Sequence, residues 1–92
     1  MDKTLSRISV DEIQQLHKEI GIHIKNSREN KGLSQLDMAL SIGIKSVAFY
    51  ANCENSRQDK HFNIEHLYKI CKILNITVSD FFQQIDLDNP NR

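Results

Sequence analysis

Apolar positions recur along this chain three and four residues apart, with polar residues between them and glycine, serine or asparagine at the breaks. Ile13, Leu16, Ile20 and Ile24 share one helical face, and Ser9 followed three residues later by Glu12 is a capping-box start. The pattern predicts a long first helix from about Val10 to Asn30, closed by Gly32. Gly21 inside it costs up to about 1 kcal/mol relative to alanine, which a closely passing neighbour helix would explain. Ser34 caps a short second helix carrying Leu36, Met38, Ala39, Leu40 and Ile42, which Gly43 stops. A third begins near Lys45 or Ser46 and ends near Cys53 or Glu54, before the polar run Arg57 to His61. Asn63 caps a fourth helix with the stripe Ile64, Leu67, Cys71 and Leu74, ended by Asn75. Thr77 and Asp80 open a fifth that carries Phe81, Phe82 and Ile85.

No convincing β run interrupts this order, since Ile76 to Val78 is short and lies between two helix signals. The expected class is all-α, five helices, with the body at residues 10–85, an N-terminal extension at 1–9 and a polar tail at 86–92. At 39% hydrophobic content and 26% charged, the 92 residues carry enough Leu, Ile and Phe for one core without covalent staples. The chain has no run of the roughly 20 apolar residues that a membrane span needs, and its N-terminus lacks a signal peptide's apolar middle, so the expected compartment is the cytoplasm.

Composition narrows the chemistry. Cys53 and Cys71 stand outside any CxxC or Cys/His spacing and are expected as buried thiols, and His17, His23, His61 and His66 lack metal-ligand spacing. No metal, cofactor or glycine-rich phosphate cradle is expected, and no nucleophile is paired with a base as an enzyme would need. Twelve basic residues balance twelve acidic ones. Residues 25–60 nonetheless hold six bases against four acids, a modest excess of positive charge around the second and third helices.

Ile20, Gly21, Ile24, Lys25 and Arg28, then Gly32-Leu33-Ser34-Gln35, Met38-Ala39, Ile42-Gly43 and finally Leu67, Ile70, Leu74 and Val78 stand in an order and at spacings that resemble the phage-repressor-like (Xre-type) helix-turn-helix regulators. The likeness spans roughly residues 18 to 83. It implies a DNA-binding module with the helix-turn-helix at helices two and three, Ala39 at the crossing and Gly43 in the turn. Asn55-Ser56-Arg57 resembles the controller proteins of restriction-modification systems in particular.

The resemblance carries roles with it. Helix three enters the major groove N-terminus first, while Ser34 and Gln35 meet a phosphate at the start of helix two. Lys45 contacts phosphate or a guanine edge, Ser46 a base or the backbone, Val47 or Ala51 a thymine methyl, and Tyr50 a phosphate. Asn55, Ser56, Arg57 and Lys60 clamp the next stretch of backbone. The partner is then double-stranded DNA, a palindromic operator bound by a homodimer whose seam is Phe81, Phe82 and Ile85.

Three departures from the pattern stand out. Placing Phe49 in the core turns Val47, Tyr50, Ala51 and Glu54 outward and Asn52 and Cys53 inward, leaving few strong base-reading side chains. The family's helix-one arginine, here Arg28, pairs with a glutamate at the end of helix three; ungapped counting puts Cys53 there and Glu54 one residue late. Arg28 therefore either reaches Glu54 through a shifted helix end or is solvated, because an unpaired buried arginine would cost about 3 to 5 kcal/mol. The loop from Arg57 to Asn63 is also longer than usual, and Lys60 and His61 either extend the backbone contact or form a solvated excursion. The alternative function is a protein-interaction module on the same fold, antitoxin-like or an anti-repressor partner, docking through its apolar third helix.

Overall fold

The computed structural model describes residues 8–85. Five helices, α1 (Val10–Asn30), α2 (Gln35–Ser41), α3 (Val47–Asn55), α4 (Ile64–Leu74) and α5 (Val78–Gln83), pack around one core, and there is no strand among the described residues. The expected extension and tail lie almost wholly outside these residues. None of the described helices is long and apolar enough to cross a membrane.

The caps explain the boundaries. Ser9, Ser34, Ser46, Asn63 and Thr77 each accept the backbone N–H three residues on, satisfying donors that a helix start leaves open. Ser34 and Asp37 form a full reciprocal box. So do Asn63 and His66, whose Nδ1 accepts from the Asn63 N–H in the place of the usual glutamate. At the other end of α2, the Ile44 N–H reaches the Ala39 carbonyl and the Gly43 N–H the Leu40 carbonyl, a Schellman closure. Gly43 sits at φ 83°, which glycine adopts without a Cβ penalty, and so the chain turns sharply into α3.

The core is built from Ile20 and Ile24 of α1, Met38 and Ala39 of α2, Tyr50 and Cys53 of α3, Leu67, Ile70, Cys71 and Leu74 of α4, and Phe81 of α5, with Ile42, Ile44, Phe62 and Ile85 from the connections. The α4 stripe is therefore Leu67-Ile70-Cys71-Leu74. Ile64, expected in it, is 84% exposed at the first position of α4. The expected dimer seam also changes. Phe81 and Ile85 are sealed in the chain's own core, where Phe81 meets Phe82 edge-on, and of the three only Phe82 keeps part of its surface. A terminal helix this short buries its aromatic residue to complete the core before it can offer it to a partner.

Gly21 is buried where α1 passes the end of α3. A Cβ built on it would overlap the Glu54 carbonyl, a backbone group that cannot swing aside. Gly21→Ala should therefore destabilise the fold by about 2 kcal/mol, overpacking outweighing the propensity gain of alanine. Urea unfolding of the two proteins measures this, and an unchanged or higher midpoint would contradict the close approach.

Candidate nucleic-acid interface

One buried carboxylate organises the helix-turn-helix. Glu54, in the last turn of α3, accepts four hydrogen bonds: from Arg28 Nε at 2.9 Å and Nη2 at 3.0 Å, from Gln35 Nε2 at 3.1 Å and from the Tyr50 hydroxyl at 2.8 Å. Two carboxylate oxygens offer about four lone-pair sites, so this acceptor is saturated. Arg28 also donates from Nη1 to the Leu33 carbonyl at 2.7 Å, which ties the α1–α2 connection into the same cluster. Arg28 and Glu54 are the buried charged side chains among the described residues, and each is the other's partner.

The electrostatics follow from this geometry. Burial raises the Glu54 pKa, but the hydrogen bonds from Arg28, Gln35 and Tyr50 more than offset it and hold the carboxyl below its ordinary value. The bond to Glu54 raises Arg28 further, against its own burial. Burial and then the bond to Glu54 push the Tyr50 phenol far up, so the hydroxyl remains a donor.

The cluster sets the rotation of α3. Tyr50, Cys53 and Glu54 face inward and Phe49 is half-buried. Tyr50, expected on a phosphate, is instead wholly buried, packed against Phe62 and committed to Glu54. Glu54 is likewise inside, not outward as the Phe49 register implied, and Arg28 reaches it, the first of the two expected alternatives. Cys53 is buried as expected, but Asn52 is half-exposed rather than core. The physical cause is the arginine: a buried guanidinium requires its carboxylate, and each residue of slip turns a helix by about 100°.

What remains on the outside is a small polar and apolar face. Lys45, Ser46, Val47 and Ala48 are exposed, Ala51 and Asn52 half-exposed, and Asn55 exposed. Val47 shows 41% of its surface. The Ser46 hydroxyl accepts the Phe49 N–H, and the Asn55 amide donates to the Ala51 carbonyl, so both have local partners. Ser34 lies exposed at the α2 cap, while Gln35 is half-buried with its amide on Glu54. Arg57 and Lys60 are exposed in the following loop, and Ser56, left-handed at φ 55°, is half-buried. Ala48 and Asn52 are the residues that sequence reasoning left off this face. The buried-charge requirement, applied before choosing the register, would have found them.

Burial raises both Cys53 and Cys71, keeping the thiols protonated. No group of three or more His, Cys, Asp or Glu side chains among the described residues could hold a metal ion.

This arrangement, a short capped helix, a glycine turn and a second helix with one face locked and the other open, is that of a helix-turn-helix protein. The family model for helix-turn-helix proteins matches residues 24–81, more than half of the chain. The chain belongs to the Xre-type helix-turn-helix family, a family of DNA-binding regulators and not of enzymes. No curated protein and no solved structure matches it.

Because its folded pKa is depressed, Glu54 contributes stability that is complete above the unfolded carboxylate range, about pH 4.3, and is lost as pH falls through the lower folded value. Glu54→Gln should flatten this acid limb and lower stability at pH 7 by about 3 to 5 kcal/mol, since it strands a buried guanidinium. Urea midpoints between pH 2 and pH 7 measure both effects, and parallel profiles for the two proteins would contradict the assignment.

Proposed function

We propose that the protein is a sequence-specific operator-binding regulator, a repressor or controller, acting as a homodimer with α3 in the major groove. The observation that carries this is the division of α3 into two faces. Its inward side chains are committed to the Glu54 cluster and the core, and its outward ones stand on a rigid helix sized for the groove.

In this reading Lys45 meets a phosphate or a guanine edge as α3 enters. Ser46, Val47, Ala48 and Ala51 present a hydroxyl and methyl groups to the base edges. Asn52 supplies the one amide on this face suited to adenine. Ser34 and Gln35 lie along the backbone at the start of α2, and Asn55, Ser56, Arg57 and Lys60 along it beyond α3. Phosphate contacts hold the register, so the sparse base-reading face works through position as much as through hydrogen bonds. Two copies would place their α3 helices about 34 Å apart, one turn of a palindromic site. Phe82 is the part of the expected seam still at the surface to hold them.

A second reading is favoured by one observation: Leu36 and Leu40 lie exposed one turn apart on α2, with Val47 exposed across the turn. Such a patch suits a protein partner. Salt separates the readings, because phosphate contacts release counterions and a protein interface of apolar residues does not.

Selection from random duplexes should recover a two-fold symmetric site. Lys45→Ala and Arg57→Ala should each weaken binding to all duplexes and reduce the log–log salt slope by about one. Asn52→Ala should relax preference at one base pair, at about 1 to 3 kcal/mol of discrimination. Recovery of no preferred sequence, or normal binding by all three variants, would overturn the groove assignment. Sedimentation equilibrium should show a dimer that Phe82→Glu dissociates, and a wild-type monomer at micromolar concentration would exclude the homodimer.

A further inference from the structure

The first two-thirds of α1 precede the matched family segment, and residues 56–63 connect α3 to α4. The structure brings these two features together. His17 of α1 and His61 of the loop stack face to face, ring centroids 3.8 Å apart and planes 10° from parallel. Beside them lies a cleft of about 730 Å³, whose walls are the start of α1 and residues 55–61. Its lining has two ammonium groups, Lys18 and Lys60, and two imidazoles, His17 and His61, against a single acid, Asp59. Ser56 is also in the lining, and its hydroxyl, buried behind that surface, has no hydrogen-bond partner within the protein.

We propose that this cleft is a phosphate-binding site that joins Lys60, given above to the DNA backbone, to Lys18 and the His17–His61 pair, with the two lysines supplying charge and the histidine pair a proton. A concave surface with four nitrogen bases and one acid is complementary to an oxyanion. The stacked pair adds a specific response. Burial and the facing His61 hold His17 below its ordinary pKa, since two imidazolium rings at this separation repel. A bound oxyanion reverses that balance and draws a proton onto the pair. The groups that set the charge around it are Lys18 on α1 and Asp59 and Lys60 on the loop.

The phosphate has two possible sources, the backbone of DNA flanking the operator or a small phosphorylated molecule. Only the first rests on the DNA-binding mode proposed above. The decisive experiment uses the full chain without DNA. Inorganic phosphate is titrated against chloride at constant ionic strength, and the ring C–H signals of His17 and His61 are followed by NMR. Both should shift saturably as phosphate is added, and the His17 transition should move to higher pH, while the signals of His23 and His66 do not respond to phosphate. Lys18→Ala and Lys60→Ala should each weaken the effect several-fold, and the double variant should abolish it. Rings that ignore phosphate, or that respond equally in the double variant, overturn the site.

A second arm compares duplexes with and without base pairs flanking the selected operator. A gain from flanks that Lys18→Ala removes, with a salt slope smaller by about one, assigns the backbone as ligand. Phosphate binding with no flank effect assigns the small molecule. Phosphate binding in a protein that fails to bind any duplex would refute the operator reading and leave the site standing.

Discussion

The carboxylate of Glu54 is the point on which this small domain turns. It lies at the end of α3, yet the groups that satisfy it come from α1 (Arg28), the start of α2 (Gln35) and one turn back in α3 (Tyr50). A buried ion pair is no guarantee of net stability against an apolar replacement, because desolvation offsets much of the Coulomb attraction. Its effect here is on geometry. The guanidinium fork and the carboxylate accept one relative orientation, so the rotation and end of α3 are set together.

That constraint separates structure from recognition within one nine-residue helix. The side of α3 that carries its most versatile hydrogen-bonding groups, a phenol and a carboxylate, is turned inward to hold the three helices. The outward side, which the proposed function gives to DNA, has an asparagine pair and small apolar residues, with Lys45 and Ser46 just ahead of the helix. In the proposed reading, backbone contacts consequently matter more than for a third helix rich in arginine and glutamine. The neutral net charge makes the local excess of bases around α3 the more important. The close pass of α1 at Gly21 serves the same end: it brings the carbonyl of Glu54 against the α1 backbone, so the carboxylate and its own peptide are both seated on the first helix.

The part of α1 that precedes the matched segment and the α3–α4 loop, far apart in the sequence, are one feature in space. Phe62 enters the core beside Tyr50 and anchors the loop, which leaves His61 to stack on His17. The loop's left-handed residues, Ser56, Gln58 and Asp59, belong to the same local solution: a connection bent to meet a helix that extends past it.

Sequence alone determined the number and order of the helices. Caps at Ser9, Ser34, Asn63 and Thr77, glycine and asparagine stops and three-to-four periodicity are local signals whose energies act within a turn or two. It also determined the family, because the helix-turn-helix spacing is itself a local pattern. Which face of α3 is buried was not legible in this way. Phe49 and Tyr50 are both aromatic and adjacent, and periodicity in a nine-residue helix does not choose between registers about 100° apart. Only the tertiary structure decided it, through a carboxylate 26 residues away from the arginine that requires it. The same holds for Phe81 and Ile85, whose apolar character suits a core or a seam equally until the space above α4 is known. Hydrophobicity specifies that a side chain be covered, and packing specifies by what.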